Sequence, residues 1–82
     1  MNIPFGKIET AADLGRILRQ KRKQLGFKQA TVAGLCGVGV RFLSELERGK
    51  PTAELGKALH VLRRLGLELS VAPRAGMDRE HD

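Results

Sequence analysis

Residues 25–50 read LGFKQATVAGLCGVGVRFLSELERGK, and this stretch decides the fold. Two short segments with helical spacing of apolar residues are separated by a turn that contains Gly37 and Gly39. The second segment ends at Arg48 and Gly49. A helix, a tight turn and a second helix form the unit that places one helix in the major groove of DNA. The stretch therefore predicts a helix-turn-helix unit.

The flanking sequence extends this unit to four helices. Thr10 followed by Asp13 fits an N-cap at the start of the first helix, and Gly26 ends that helix. Gly49 and Gly66 are expected to end the third and fourth helices. The expected helices are about 10–25, 29–35, 40–48 and 53–65. The predicted fold class is therefore all-α, a compact four-helix domain.

After Gly66 the spacing of apolar residues changes from helical to alternating. Leu67, Leu69 and Val71 alternate with polar residues over 67–72, which is a strand pattern. The chain contains no second convincing strand, and a lone strand leaves its backbone groups unpaired. The simplest arrangement pairs the strand with its copy across a two-fold axis, with these three side chains at the dimer interface. The alternative is a frayed extension with chance alternation.

The 82 residues suffice for one domain and are too few for an enzyme with a deep cleft. We expect a flexible N-terminal arm over 1–9, because Pro4 and Gly6 interrupt it and it has no clear period. The helix-turn-helix and dimerisation domain is expected over 10–72. The polar residues 73–82 are expected to form a disordered tail.

The charge of the chain indicates a polyanionic partner. Its formal net charge is +6 and its pI is about 10.3. A small basic protein need not bind nucleic acid, but here the charges cluster, since residues 16–28 hold six cations and no acid. Such a block on a helix is a plausible phosphate-facing surface. We therefore predict double-stranded DNA as a partner.

Other classes of function find no support in the sequence. Cys36 is the one cysteine, so neither an intrachain disulfide nor a cysteine-pair metal site can form, and its apolar neighbours predict a small core residue. His60 and His81 lie far from it along the chain, and we expect His60 at the surface. We predict no enzyme activity, no cofactor and no metal. No apolar run approaches the about 18 residues of a membrane span and no signal pattern is present, so a cytoplasmic location is expected.

The start of the third helix is expected to enter the DNA groove. Its outward candidates for reading bases are Val40, Arg41, Ser44 and Glu45. Arg41 is the strongest, because a guanidinium can donate two hydrogen bonds to guanine O6 and N7, although a phosphate contact is the alternative. Val40 could contact a thymine methyl, and Ser44 a base or a phosphate. Glu45 could accept from a cytosine amino group or orient Arg41.

Four residues beside this helix are candidates for binding phosphate. Gln29 opens the second helix, where free backbone N–H groups attract phosphate, and its side chain can donate to the same group. Lys28 precedes it, and Arg48 and Lys50 lie near the turn after the third helix. These residues flank the recognition helix on both sides.

Arg22 and Glu47 are expected to have a structural role. Arg22 lies on the inward edge of the first helix and Glu47 ends the third. We predict a partly buried ion pair that ties the two helices together, so both are left out of the DNA-binding set. Phe42 is expected to be a partly buried packing residue.

Taken together, the pattern over about residues 10–66 resembles the Cro/C1-type, or XRE, helix-turn-helix family. The residues that carry the resemblance are Leu14, Arg22, Leu25, Gly26, Gln29, Ala33, Gly37, Val38, Leu43, 46–50 and the leucines of the last helix. The resemblance implies a lambda-repressor-like fold, and the predicted ion pair matches a salt bridge common in the family. Gly39 departs from the family, where Ser or Thr often caps the third helix, and this should weaken the helix start only slightly.

By the same resemblance, Gln29 matches the phosphate-binding glutamine of the family. Val40, Arg41 and Glu45 match its base-reading positions. These roles agree with those assigned above from the residues themselves.

Residues 41–53, followed by 65–69, are more narrowly similar to the HipB-like antitoxins and related small regulators. The dimers of that group share a C-terminal strand, bind palindromic operators in their own promoters and bind a HipA-like serine/threonine kinase toxin. The resemblance implies a homodimeric transcriptional repressor that acts as the antitoxin of a type II toxin-antitoxin system. A stand-alone repressor is the alternative, and a protein-interaction module that does not bind DNA is the third hypothesis.

Overall fold

The computed structural model describes residues 6–74, which contain four helices and no strand. The helices are α1 (Ala11–Gln24), α2 (Gln29–Cys36), α3 (Val40–Glu47) and α4 (Leu55–Arg64). Helix α3 packs against α1 and α2, and α4 packs against α2. The predicted all-α, four-helix fold class is confirmed. No helix in this part of the chain is long and apolar enough to cross a membrane.

The predicted cap of α1 is present as a full capping box. The Thr10 hydroxyl accepts a hydrogen bond from the Asp13 backbone N–H at 3.1 Å. The Asp13 carboxylate in turn accepts from the backbone N–H groups of Thr10 at 3.2 Å and Glu9 at 2.9 Å. These bonds satisfy backbone donors that have no partner inside the helix. Gly39 caps α3 without a side-chain bond, as its sequence requires.

One large side chain from each helix is fully buried at the centre of the domain. These side chains are Leu18, Val32, Leu43 and Val61. Each contributes about 1.5–3 kcal/mol by leaving water, so the four helices stabilise one another through a single core. Cys36 is buried in this core, as predicted, and Phe42 packs partly buried against it.

The buried face of α4 differs at two positions from the apolar stripe that helical spacing predicts, which includes Leu55 and has Val61 at its edge. Leu55 is 66% exposed, whereas Val61 is fully buried. The contact of α4 with α2 explains both. His60 lies 3.1 Å from the Cys36 carbonyl and Arg64 donates to the Leu35 carbonyl at 3.1 Å. Contact therefore falls on the C-terminal part of α4, and its first turn remains outside.

Helices α1 and α3 approach so closely that only glycine fits at Gly15. A Cβ atom placed there would lie 2.5 Å from the backbone oxygens of both Leu46 and Glu47. A similar approach occurs at Gly49, which has a φ of +86° and whose added Cβ would lie 2.7 Å from the Ala12 Cα. The position of α3 relative to α1 is therefore fixed by backbone-to-backbone contact.

Residues 67–74 form neither helix nor strand in the single chain. Leu67 packs against the core, Leu69 is 46% exposed and Val71 is 94% exposed. The strand was predicted to pair with a second copy, and a lone segment has no partner for its backbone groups. Pairing across a dimer therefore stays a prediction. Most of the expected flexible arm (1–9) and disordered tail (73–82) lies outside the described residues.

Candidate nucleic-acid interface

The outer face of α3 presents the predicted base-reading residues together. These residues are Val40, Arg41, Ser44 and Glu45. The Arg41 side chain is 91% exposed and Val40 is 47% exposed, whereas Leu43 and Leu46 on the opposite face are buried. This separation follows from the helical repeat, since positions i, i+1, i+4 and i+5 share one side of a helix. One face of helix α3 is therefore packed into the core, and the opposite face is exposed to solvent.

The turn after α3 brings two predicted phosphate-binding residues back onto this face. Arg48 Nη1 donates to the Ser44 hydroxyl at 2.8 Å. Lys50 Nζ donates to Glu45 Oε1 at 3.0 Å, and Arg41 Nε donates to Glu45 Oε2 at 3.3 Å. These five residues form one connected surface, which we call the polar strip. Of the two roles expected for Glu45, the orientation of Arg41 is present in the free protein.

The start of α2 provides the second group of predicted phosphate contacts. Lys28 is its N-cap residue, is exposed, and makes no side-chain capping bond. Gln29 is the first residue of the helix, and its Nε2 donates to Glu47 Oε1 at 3.0 Å. An amide nitrogen carries two hydrogens, so the bond to Glu47 holds the Gln29 side chain in place and leaves one hydrogen for a phosphate.

The predicted ion pair between Arg22 and Glu47 is confirmed and is more buried than expected. Arg22 Nε donates to Glu47 Oε2 at 2.7 Å and Nη2 donates to Oε1 at 2.9 Å, and both residues are 7% exposed. Arg22 Nη1 also donates to the Phe27 carbonyl at 2.8 Å. One guanidinium therefore joins α1, the turn before α2 and the end of α3.

Glu47 links this buried pair to the predicted phosphate site. Its two oxygens accept from Arg22 and Gln29, so the carboxylate is shared between the core and the start of α2. Burial alone would raise the pKa of the Glu47 carboxyl, but the hydrogen bonds from Arg22 and Gln29 bring the pKa below its ordinary value. The carboxylate thus stays charged near neutral pH and continues to orient Gln29.

The basic cluster of α1, which the sequence predicts as a phosphate-facing surface, forms an exposed face of that helix. Arg16, Arg19 and Lys23 are exposed and line a shallow groove that reaches Glu47. Their spacing of three and four residues places them on one side of the helix. Arg22 instead lies four residues after the buried Leu18, on the inward side. This face lies near the start of α2, to which Glu47 connects it through its bond with Gln29, so it adjoins the predicted phosphate-binding residues.

His60 is exposed, as predicted, but it also has a structural contact that the sequence did not reveal. Its Nε2 and the Arg64 guanidinium lie against the last carbonyls of α2. Carbonyl groups at a helix C-terminus lack partners within the helix, so these side chains satisfy them. Neither residue belongs to the candidate interface.

Comparisons with known proteins agree with this geometry. The family model described as helix-turn-helix matches residues 18–71. An uncharacterized HTH-type transcriptional regulator of Sinorhizobium fredii, y4mF, is 46% identical over 65 residues, which cover 79% of this chain and 86% of the relative.

Solved structures show the same fold. A complex of a HipB variant with the O2 20mer superposes with a TM-score of 0.78 at 24% identity, covering 85% of this chain and 97% of the other. A HipA–HipB–O2–O3 complex gives a TM-score of 0.76 at 22% identity, covering 83% and 96%. The extent of the family match and the identity to the regulator together decide the assignment. The chain belongs to the XRE-type helix-turn-helix family of DNA-binding transcriptional regulators.

Proposed function

We propose that this protein is a homodimeric, sequence-specific transcriptional repressor that acts as a HipB-like antitoxin. The observation that carries the DNA-binding part is the outer face of α3. Arg41 stands almost fully exposed there, while the opposite face of the helix is locked into the core. Cationic and hydrogen-bonding groups flank it at the start of α2 and in the turn after α3.

In this proposal α3 enters the major groove and reads base edges. Arg41 donates to guanine, Val40 contacts a thymine methyl, and Glu45 accepts from a cytosine amino group. Lys28 and Gln29 hold one stretch of backbone phosphates. Arg48 and Lys50 bind a second stretch of backbone phosphates, so that phosphate contacts position the helix on both of its sides.

Exposed apolar residues beyond α4 support the proposed dimer. An open groove of about 500 Å³ lies between the end of α4 and the segment that follows it. The leucines that line it are Leu59, Leu62, Leu67 and Leu69. If residues 67–72 of a second copy paired with residues 67–72 of this chain, the pairing would cover Leu69 and Val71. Two-fold pairing would place the two recognition helices about 34–36 Å apart, which matches successive turns of the major groove.

Selection of bound duplexes from a random pool tests the proposal. We expect an enriched palindrome whose half-sites are about one helical turn apart. The protein should also bind the DNA upstream of its gene in a gel-shift titration if it regulates its own transcription. Enrichment of no sequence, with no shift at low salt, would instead favour a protein-interaction module that does not bind DNA.

Replacing Arg41 by alanine should remove most discrimination at one base pair of each half-site. We expect operator affinity to fall by about tenfold to a hundredfold, and affinity for random duplex to fall much less. Fluorescence anisotropy with both duplexes measures this difference. The matched variant Arg41→Lys keeps the charge but lacks the planar fork, so it should bind random duplex normally and still discriminate poorly. Equal losses on both duplexes would contradict base reading.

Replacing Leu69 by proline should weaken the dimer. Proline has no N–H to donate to the pairing strand, and it restricts the backbone at the centre of 67–72. Sedimentation equilibrium should show a shift towards monomer, while Arg74→Pro, placed beyond the predicted strand, should leave the dimer intact. A Leu69→Pro dimer as tight as the wild-type dimer would rule out the shared strand.

The antitoxin role is supported by the likeness to HipB, one solved form of which contains HipA. The stand-alone repressor remains the second candidate, because the curated relative is named only as a transcriptional regulator. Co-expression with a HipA-like kinase encoded by a neighbouring gene separates the two. An antitoxin should copurify with the kinase and relieve its toxicity, whereas a stand-alone repressor should do neither.

A further inference from the structure

The carboxylate of Glu45 holds two of the cations that the proposed function assigns to DNA. One oxygen accepts from Arg41 Nε at 3.3 Å, and the other accepts from Lys50 Nζ at 3.0 Å. We call this arrangement the Glu45 bridge. Its three charged groups carry a net charge of +1, although the two cations alone would present +2 to a DNA duplex.

Main-chain hydrogen bonds also hold Lys50 close to Glu45. The N–H groups of Lys50 and Arg48 both donate to the Glu45 carbonyl, each at 3.1 Å. The turn after α3 therefore returns Lys50 to Glu45 by main-chain bonds, independently of the side-chain contact. The Glu45 side chain is only 23% exposed, so its charge is held against the surface between the two cations. Hydrogen bonds from Lys50 and then Arg41 keep the pKa of this carboxyl below its ordinary value.

Binding to random DNA depends mainly on the number of cations that neutralise phosphates. A phosphate that approaches Arg41 or Lys50 must displace the carboxylate, or accept its negative charge nearby. Both outcomes weaken a contact that would otherwise form on any sequence. The Glu45 bridge therefore acts selectively against backbone-only binding.

Reading of bases is affected differently. The bond to Glu45 uses Arg41 Nε, so the two terminal amino groups remain to donate to guanine O6 and N7. A cytosine amino group that reaches Glu45 would add a hydrogen bond instead of a repulsion. The carboxylate thus opposes a phosphate and tolerates or favours a suitable base pair.

We infer that Glu45 is a specificity-determining residue that restrains Arg41 and Lys50 from non-specific phosphate binding and so widens the gap between operator and random DNA. This inference rests on the proposed DNA-binding function. The inference goes beyond that function because the main effect of Glu45 is on binding to random DNA, not on binding to the operator.

The test compares Glu45→Gln with wild type on a selected operator and on a random duplex of equal length, over a series of salt concentrations. We expect the variant to bind random duplex about tenfold more tightly, because two cations are released. Operator affinity should not rise with it, because the variant also loses the charged acceptor proposed for a cytosine amino group, so the ratio of operator to random affinity should fall about tenfold or more. The slope of log affinity against log salt on random duplex should steepen by about 0.9 for each released cation.

Glu54→Gln provides the charge-matched control. Glu54 is exposed, pairs with Lys57 at 3.7 Å and lies outside the polar strip, yet its replacement changes the net charge by the same amount. This variant should change the affinity for operator and for random duplex equally and only slightly. Circular dichroism and thermal unfolding should show both variants folded, since the Glu45 bridge lies at the surface.

Two outcomes would overturn the inference. If Glu45→Gln keeps the wild-type ratio of operator to random affinity, Glu45 does not set specificity. If wild type itself prefers no duplex, the proposed function fails first and the inference with it. The wild-type measurement therefore separates the two failures.

Discussion

Replacing Gly15 by alanine should destabilise the domain by about 1–3 kcal/mol, even though alanine is the better helix former. The added methyl would lie 2.5 Å from the backbone oxygens of Leu46 and Glu47. Both contacted atoms belong to the main chain, so no change of side-chain rotamer can relieve the overlap. Helices α1 and α3 would have to separate, and the Arg22–Glu47 bonds between them would lengthen.

Gly34→Ala is the matched control for this prediction. Gly34 also lies inside a helix, but a Cβ atom there meets nothing within 4 Å. It should therefore gain up to about 1 kcal/mol from helix propensity alone. Urea denaturation followed by circular dichroism measures both variants. A Gly15→Ala protein as stable as wild type would show that the close approach of α1 and α3 is not tight in solution.

The helices and their caps could be predicted because their signals are local. Thr10 and Asp13 lie three residues apart and bond to each other across one helical turn, so their types and spacing suffice. The same holds for the outer face of α3, since the helical repeat alone decides that Arg41 and Glu45 point away from Leu43. The pairing of Arg22 with Glu47 could be predicted because both are charged residues placed at inward positions.

Other features depend on distances between elements, which no local pattern contains. Gly15 looks like an ordinary helical glycine until the end of α3 is placed against it. The exposure of Leu55 follows from where α4 crosses α2, and its helical position suggested the opposite. The contact of Lys50 with Glu45 depends on how the turn after α3 closes, so sequence placed both residues at the interface without joining them.

Replacing Arg22 by methionine should have the second large effect on stability. Glu47 is 7% exposed in the native protein, and the variant removes its ion-pair partner while keeping the hydrogen bond from the Gln29 amide. It also removes the bond to the Phe27 carbonyl. Loss of one partner of a buried ion pair costs about 3–5 kcal/mol, because the remaining charge stays out of water. Urea denaturation should show this loss.

The double variant Arg22→Met with Glu47→Met separates a stranded charge from a lost helix contact. Replacing both partners by apolar side chains removes the uncompensated charge, so at least half of the lost stability should return. Two results together would show that the buried carboxylate does not cause the loss of stability. The double variant would be as unstable as Arg22→Met, and the stability of each variant would not change between pH 4 and 7.

The pH dependence of unfolding gives an independent measure of the same pair. Burial raises the pKa of the Glu47 carboxyl, but hydrogen bonds from Arg22 and Gln29 outweigh it, so the folded-state pKa lies below the ordinary value. A lowered folded-state pKa stabilises the native state above the unfolded pKa of about 4.3, and this contribution is lost as pH falls through the folded value. Wild type should therefore exceed Glu47→Gln in stability at pH 6, and the difference should shrink steadily below about pH 4. Asp13 and Glu45, whose pKa values are also lowered, titrate in both proteins and cancel in the comparison. Parallel stability curves for the two proteins down to pH 3 would mean that Glu47 is not held ionised by its partners.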